Sequence, residues 1–275
     1  MRISPRRKDT SVPETPPQDV SVPRPKNRGT RRRRVLRVLA VVALIGLVLG
    51  LASTVANVLL ERQERASIRP YGERIAITGG SVNVYRTGHA GQPIVLLSGL
   101  GTAAPALDFA PLIRELADFN VVVVEGFGYG YSDVSASERT NKNINTELHE
   151  ALGKLNIAQP YVLAGHSIAG FYMLDYANRY PAEVSAVVGI DPTVPAAKSG
   201  PVDVQTGGFS LERMLSFTGV VRDLTAVAPG LVEPDGNAFT PEERERMRLM
   251  LSWNLGNPAV ADETARIGNN AADLR

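Results

Sequence analysis

The chain has 275 residues, is 44% hydrophobic and carries a formal net charge of +2. That length and apolar content allow one sizeable core and leave room for a smaller second unit. The absence of cysteine excludes disulfides and thiolate metal sites.

The small net charge conceals an asymmetry. Residues 1–34 hold eleven Lys/Arg against three Asp/Glu, a charge of +8, so the remainder carries −6. The same stretch has six of the 19 prolines and almost no large apolar residues, so it is expected to be disordered. Residues 35–60 then read as a membrane anchor. From Val38 to Leu60 there are 23 residues without a charge. As a helix they would span about 34 Å, against a hydrocarbon core of about 30 Å. Arg31 to Arg34 on the N-terminal side assign that side to the cytoplasm, with the rest of the chain beyond the membrane. A cleavable signal peptide is the rival reading, with Thr54-Val55-Ala56 as the cleavage site. The long leader, and an apolar run that continues past Ala56, favour an uncleaved anchor. Beside such a span the basic tail is expected to meet anionic lipid, and no nucleic acid is expected. Residues 61–72 read as a polar linker.

Residues 73–192 carry the pattern of an α/β core. Arg74–Ile77 and Ser81–Tyr85 alternate apolar with polar around Gly79-Gly80, which predicts a hairpin. Pro93 to Ser98 is a continuous apolar run, as expected of a parallel strand covered on both faces. It leads into Gly99-Leu100-Gly101-Thr102-Ala103-Ala104. This matches a dinucleotide fingerprint ending in alanine, and Glu125 at the end of the next strand could hold a ribose hydroxyl. Pro105 fits poorly with a helix starting on a phosphate, so an NAD(P)-dependent oxidoreductase is kept as a second alternative. The strand Asn120–Val124 runs into Glu125-Gly126-Phe127-Gly128-Tyr129-Gly130-Tyr131-Ser132-Asp133. Asn141–Asn156 is an amphipathic helix, with Ile144, Leu148, Leu152 and Leu155 on one side.

Tyr161–Ala164 predicts a buried strand, and a helix with a broad apolar face begins near Ile168. Between them stands Ser167, inside Gly165-His166-Ser167-Ile168-Ala169. A serine at a sharp strand-to-helix turn, flanked by small residues, has the form of a nucleophile elbow. A strand over Ala186–Ile190 ends at Asp191. From Thr193 on, small residues give way to helices over about Leu211–Thr218, Val221–Val227, Pro241–Asn254 and from Pro258 to near Gly268. The third carries a capping box, Thr240 with Glu243. Phe209, Met214, Phe217, Trp253 and Leu255 could line an acyl pocket, although packing against the core is the default explanation.

In this order the motifs resemble the α/β-hydrolase superfamily, over about Arg74 to Pro192. The elbow departs from G-x-S-x-G by one methyl, and Glu125 stands where the family's D-x-x-G-x-G-x-S-D turn has aspartate. The resemblance implies a mostly parallel sheet with flanking helices and a helical cap, here residues 193–275. It implies an oxyanion hole from the backbone N–H groups of Leu100 and Ile168. Asp191 is a candidate for the catalytic acid, in the position a minority of the family uses. The family's base is a histidine after the acid, yet no histidine follows His166. His89 and His149 precede the elbow. The chain is therefore expected to be C-terminally incomplete relative to the family, with its last strands absent.

These readings converge on a membrane-anchored serine hydrolase acting on a small-molecule ester, thioester or amide by acyl transfer through Ser167. It is expected to need no cofactor or metal, and to be impaired for want of a base. A non-catalytic, membrane-tethered binding protein on the same fold is the alternative.

Overall fold

The computed structural model describes residues 28–195, 210–234 and 236–274, with side chains from residue 32 on. Most of the expected basic tail, and most of the small-residue stretch from Thr193 to Gly208, lie outside the described residues. The chain divides into two units, Met1–Leu47 and Val48–Arg275.

Helix α1, Arg28–Ser67, begins in the first unit. Its segment Arg32–Ser67 is long and apolar enough to cross a membrane, and the apolar residues from Val35 to Leu47 are exposed. The helix continues seven residues beyond Leu60, through the stretch that composition marked as linker. Glu61 and Arg65 support that extension by an i,i+4 ion pair of 2.8 Å.

The second unit is built on a six-stranded sheet of order β1-β2-β4-β3-β5-β6. Strands β1 (Glu73–Ile77) and β2 (Gly80–Arg86) form the expected hairpin, with Ile77 opposite Gly80. β2 runs antiparallel to β4 (Asn120–Glu125). The remaining pairs, β3 (Pro93–Leu97) with β4 and β5 (Tyr161–Ser167), and β5 with β6 (Val184–Pro192), are parallel. β3 is buried at every residue, as its unbroken apolar run requires. β6 is the outermost strand and is mostly exposed.

Both faces of the central strands are covered. On one lie α2 (Pro105–Asp108) and α3 (Ala110–Glu115), with Ala106 and Ile113 packed on Leu96, Val121 and Val123. On the other lie α4 (Asn141–Lys154) and α5 (Ala169–Arg179), with Leu148, Leu152, Phe171 and Tyr176 packed on Val95, Val122 and Leu163. Thr140 starts α4 by accepting a hydrogen bond from the Asn143 amide at 3.2 Å.

The cap region is helical, as expected: α6 (Leu211–Phe217), α7 (Val220–Val227), α8 (Pro241–Asn254) and α9 (Pro258–Ala272). The Thr240–Glu243 capping box is formed. α9 runs four residues past the expected stop at Gly268, because Ala271 packs into the sheet-side core.

Candidate active site

Strand order fixes where a site can form. From β3 the chain moves to β4 on one side, while β5 lies on the other, so the order reverses between β3 and β5. In open α/β sheets the crevice at the carboxyl ends of such a pair is left free for ligands. Two sequence motifs meet there: the loop after β3, from Ser98 to Thr102, and Ser167 at the end of β5.

Ser167 has φ 53°, a left-handed conformation that a non-glycine residue adopts only where its surroundings enforce it. The surroundings here are tight. A Cβ on Gly165 would stand 2.8 Å from Cβ of Ala169 and 2.9 Å from Sδ of Met173. A Cβ on Gly99 would stand 2.8 Å from Nδ1 of His166 and 3.4 Å from Cβ of Ser167. Small residues on both sides thus let the β3 loop lie against the turn that carries Ser167. The Ser167 carbonyl accepts from the Thr193 amide at 2.7 Å, which ties the turn to the end of β6.

Leu100 follows Gly99 in that loop and is half-buried, and Ile168 follows Ser167 and is buried. No hydrogen bond from either backbone amide joins it to a described residue. The loop is held from the other side, where the Gly101 amide donates to Oη of Tyr129 at 3.3 Å. That phenol donates in turn to Oε2 of Glu263 on α9 at 2.8 Å, and Tyr172 on α5 donates to Oε1 of the same carboxylate. Glu263 is 2% exposed, and burial raises its pKa despite the two phenols and Arg139 nearby. A cavity of about 60 Å³ lies among Ser98, Tyr129, Arg139, Glu147, Tyr172 and Glu263. Arg139 holds Glu147 through two contacts of 2.7 and 2.9 Å and leaves its Nε without a partner among the described residues.

Asp191 lies at the end of β6, where Ser167 is in register with Pro192. Its φ is 46°, and its side chain is exposed and makes no hydrogen bond to a described residue. The histidines are spread out. His89 is exposed in the loop before β3. His149 stacks on Tyr180 at 4.0 Å, and its Nδ1 lies 3.2 Å from Glu183. Glu183 accepts from Tyr161 at 2.5 Å. Tyr161 starts β5 and Ser167 ends it, so His149 sits at the opposite edge of the sheet, about 20 Å from Ser167. His166 alone is at the carboxyl edge, and it is exposed. The Ser167 hydroxyl has no hydrogen-bond partner among the described residues.

Glu125 is fully buried. It accepts from the Tyr71 hydroxyl, from Asn83 Nδ2 at 2.9 Å and from the amides of Tyr131 at 2.9 Å and Ala106 at 3.3 Å. Burial raises its pKa, and these donors work against the rise. With its oxygens taken up in shaping the turn after β4, Glu125 has none to offer a ribose. α2 starts at Pro105 with no side-chain cap and lasts four residues, too short a helix to hold a phosphate. The dinucleotide reading of this segment is thereby corrected.

Sequence reasoning missed Glu263, Tyr129 and the asparagines of the α8–α9 corner. Asn254 Nδ2 donates to the carbonyls of Ala103 at 3.0 Å and Gly130 at 2.8 Å, and Asn257 Nδ2 to that of Gly128 at 2.7 Å. These bonds fix both loops that border the crevice. One signal was present: Ala259, Glu263, Ile267 and Ala271 recur every four residues, which puts a carboxylate on the apolar stripe of α9. Of the proposed acyl-pocket residues, Trp253 is buried against Tyr131 and Met250. Met214 and Phe217 line a cleft of about 1240 Å³ with residues of the 134–138 loop and of α9. Phe209 lies outside the described residues.

Comparison with known proteins bears on the same segment. The family model described as alpha/beta hydrolase fold matches residues 92–218. An uncharacterized protein of Bacillus subtilis, YbdG, is 32% identical over 161 residues, 56% of this chain and 50% of that protein. Lipase 1 of Psychrobacter immobilis is 29% identical over 104 residues, 37% of this chain and 32% of the lipase. The chain thus spans half or less of these curated relatives. The crystal structure of Cfl2 from Burkholderia cenocepacia superposes with a TM-score of 0.52 at 20% identity, covering 74% of this chain and 72% of that one.

Proposed function

Because this chain belongs to the α/β-hydrolase superfamily, we propose that it is a membrane-anchored serine hydrolase that transfers acyl groups from esters, thioesters or amides through Ser167. The observation that carries this reading is the left-handed Ser167 at the switch point, packed against the Gly99 loop. The sharp turn presents Oγ at the rim of the sheet. The amides of Leu100 and Ile168, unpaired among the described residues, would be the donors for a developing oxyanion. Such donors act because they are fixed before the charge appears, and one is typically worth about 3–4 kcal/mol.

The chemistry stops short of a full relay. The Ser167 hydroxyl has no partner among the described residues, and Asp191 is likewise free. A serine without a base is a poor nucleophile at neutral pH. Turnover of this chain is expected to lie roughly 10⁴–10⁶-fold below that of a complete triad.

The anchor reading is supported by α1, whose outer end is joined to the cap. Ser53 Oγ donates to the Thr218 carbonyl at 2.8 Å, and Asn57 Nδ2 to that of Ser216 at 3.1 Å. Cleavage after Ala56 would remove the first of these bonds, so an uncleaved helix is the better fit. With arginines on its N-terminal side, the hydrolase unit would lie outside the cytoplasm.

A second reading, a non-catalytic binding protein on the same fold, is favoured by the unpartnered Ser167 hydroxyl. A fluorophosphonate probe decides between the two. The hydrolase reading expects slow covalent labelling over hours, mapped to Ser167 by mass spectrometry and lost in Ser167→Ala. No adduct at Ser167 after prolonged exposure would leave the binding protein. Labelling within seconds would overturn the claim that the serine lacks a base.

A further inference from the structure

The face that α6 and α7 turn away from the core is apolar along its length. Met214, Phe217, Val220, Leu224, Val227 and Leu231 recur at intervals of three and four residues and are all exposed, Phe217 at 51%, Val227 at 86% and Leu231 at 68%. That spacing places Met214 and Phe217 on one side of α6, and Val220, Leu224 and Val227 on one side of α7, with Leu231 in the short turn that follows. The other side of α7 packs inward, with Val221 and Thr225 buried. Contiguous apolar stripes of this extent are rare on surfaces that face water, and they mark a site of association.

What lies beside the stripe identifies its partner. The turn between α6 and α7 is clasped to α1 at residues 53–57. Ser53 bonds the Thr218 carbonyl, and Asn57 bonds the carbonyls of Ser216 and Phe217 at 3.1 and 3.3 Å. A Cβ on Gly219 would stand 3.1 Å from both Ser53 Oγ and Asn57 Cβ, so the approach is close. In the same unit the flank of α1 is itself apolar and exposed, at Leu51, Val55 and Leu59. By helical spacing these three lie on the side of α1 away from Ser53 and Asn57, so the apolar surface of the anchor faces outward at the level where the cap is clasped.

Chain length gives the depth. Counting from Val38, a hydrocarbon core of about 30 Å takes up about 20 residues, to about Asn57. The clasp therefore falls on the last turns of the span rather than beyond it. The polar groups there behave as hydrocarbon requires, each satisfied within the protein. Ser53 and Asn57 bond the turn, Thr54 Oγ1 bonds the Gly50 carbonyl at 2.8 Å, and Thr218 Oγ1 bonds that of Met214 at 2.8 Å. Arg222, which reaches the clasp, is held by Asn57 Oδ1 at 2.8 Å and by both oxygens of Glu64 at 2.6 and 2.9 Å.

We propose that the α6–α7 stripe is immersed in the acyl-chain region of the leaflet on the C-terminal side of α1, docking the cap onto the bilayer. Asp223 flanks the stripe and is exposed, which keeps the immersion shallow, with its carboxylate at the headgroups. Met214 and Phe217 also line the cleft that α6 shares with the 134–138 loop and α9, so immersion of the stripe would bring that cleft close to the lipid. The inference rests on α1 being a membrane anchor, and its test separates the two.

Because the chain has no cysteine, single cysteines can be introduced into the full protein and labelled with an environment-sensitive fluorophore. The variants are Leu44→Cys on α1, Val220→Cys and Val227→Cys on the stripe, and His89→Cys as an aqueous reference. All four positions are exposed, so the labels displace no core contact. Each is reconstituted in phosphatidylcholine–phosphatidylglycerol vesicles with and without brominated acyl chains. Quenching at Val220→Cys and Val227→Cys is expected to exceed that at His89→Cys at least three-fold. Adding Leu224→Glu should cut the Val220→Cys quenching by half or more and leave Leu44→Cys unchanged. If Leu44→Cys is quenched but the stripe positions match His89→Cys, the inference is overturned and the anchor stands. If Leu44→Cys also matches the reference, the anchor reading falls and the docking surface with it.

Discussion

Asn257 holds Gly128 with one end of its side chain and starts a helix with the other. Its Nδ2 donates to the Gly128 carbonyl at 2.7 Å, while Oδ1 accepts from the amides of Ala259 at 3.0 Å and Val260 at 3.2 Å. A single buried amide thereby joins the cap to a loop at the mouth of the crevice. Asn257→Ala should destabilise the protein by about 3 kcal/mol, combining a lost cap with a buried carbonyl left unpaired. Urea unfolding of the detergent-solubilised chain measures it. A change below about 0.5 kcal/mol would mean the corner relaxes to find other partners.

Gly130 has φ 52°, and a Cβ there would overlap the Glu125 carboxylate. Gly130→Ala is expected to cost about 4 kcal/mol or to prevent accumulation of folded protein, since neither the backbone nor the fully buried carboxylate can yield. Gly153 in α4 is the matched control. Nothing lies within 4 Å of a Cβ there, and Gly153→Ala should gain up to about 1 kcal/mol. Equal effects on the melting temperature would contradict the packing described for the turn after β4.

Glu263 gives a pH dependence of definite sign. Burial raises its pKa, so the folded protein holds that proton more tightly than the unfolded chain does. Its contribution to stability therefore falls as pH climbs from the ordinary carboxylate range, near 4, toward and through the raised value. Glu263→Gln removes the titration. The melting temperature of the variant should shift upward relative to the parent between pH 5 and pH 8, whatever the offset at pH 5. Drift in the other direction would mean that Tyr172, Tyr129 and Arg139 outweigh burial.

Arg222 connects α7 to α1 through Asn57 and Glu64, and its side chain is mostly covered. Arg222→Met should cost about 2–3 kcal/mol, because Glu64 is left partly buried without its cation. Adding Glu64→Gln should restore part of that loss, giving a coupling of about 1 kcal/mol or more in a double-mutant cycle. Strict additivity would show the pair to be mere neighbours.

Where a feature was legible in the sequence, its causes were local. The tight turn at Ser167 needs small residues on either side, the capping box needs Thr240 and Glu243 three apart, and β3 needs five apolar residues in a row. Helix ends were less legible, because α9 is prolonged by Ala271 meeting the sheet, a contact that no neighbouring residue announces. The supports of the site were hidden for the same reason. Glu263 meets Tyr129 across 134 residues, and Asn254 meets Ala103 across 151. The polar stretch 61–72 misled composition most. It contains Glu64 and Tyr71, whose partners are Arg222, Trp253 and Glu125, all distant in sequence. Residues that look solvated in isolation are polar there because they have buried groups to satisfy.

That hidden role bears on anyone who would trim the protein for handling in water. Removing everything through Ser67 looks harmless, since it discards an oily helix and keeps every strand. It would also discard Glu64, the acceptor for both the Arg222 guanidinium and the Trp253 indole N–H at 3.0 Å. The shortened product would carry a stranded cation and an orphaned indole where the cap meets its support. Solubility gained by that cut would come at the expense of the cap's own seating.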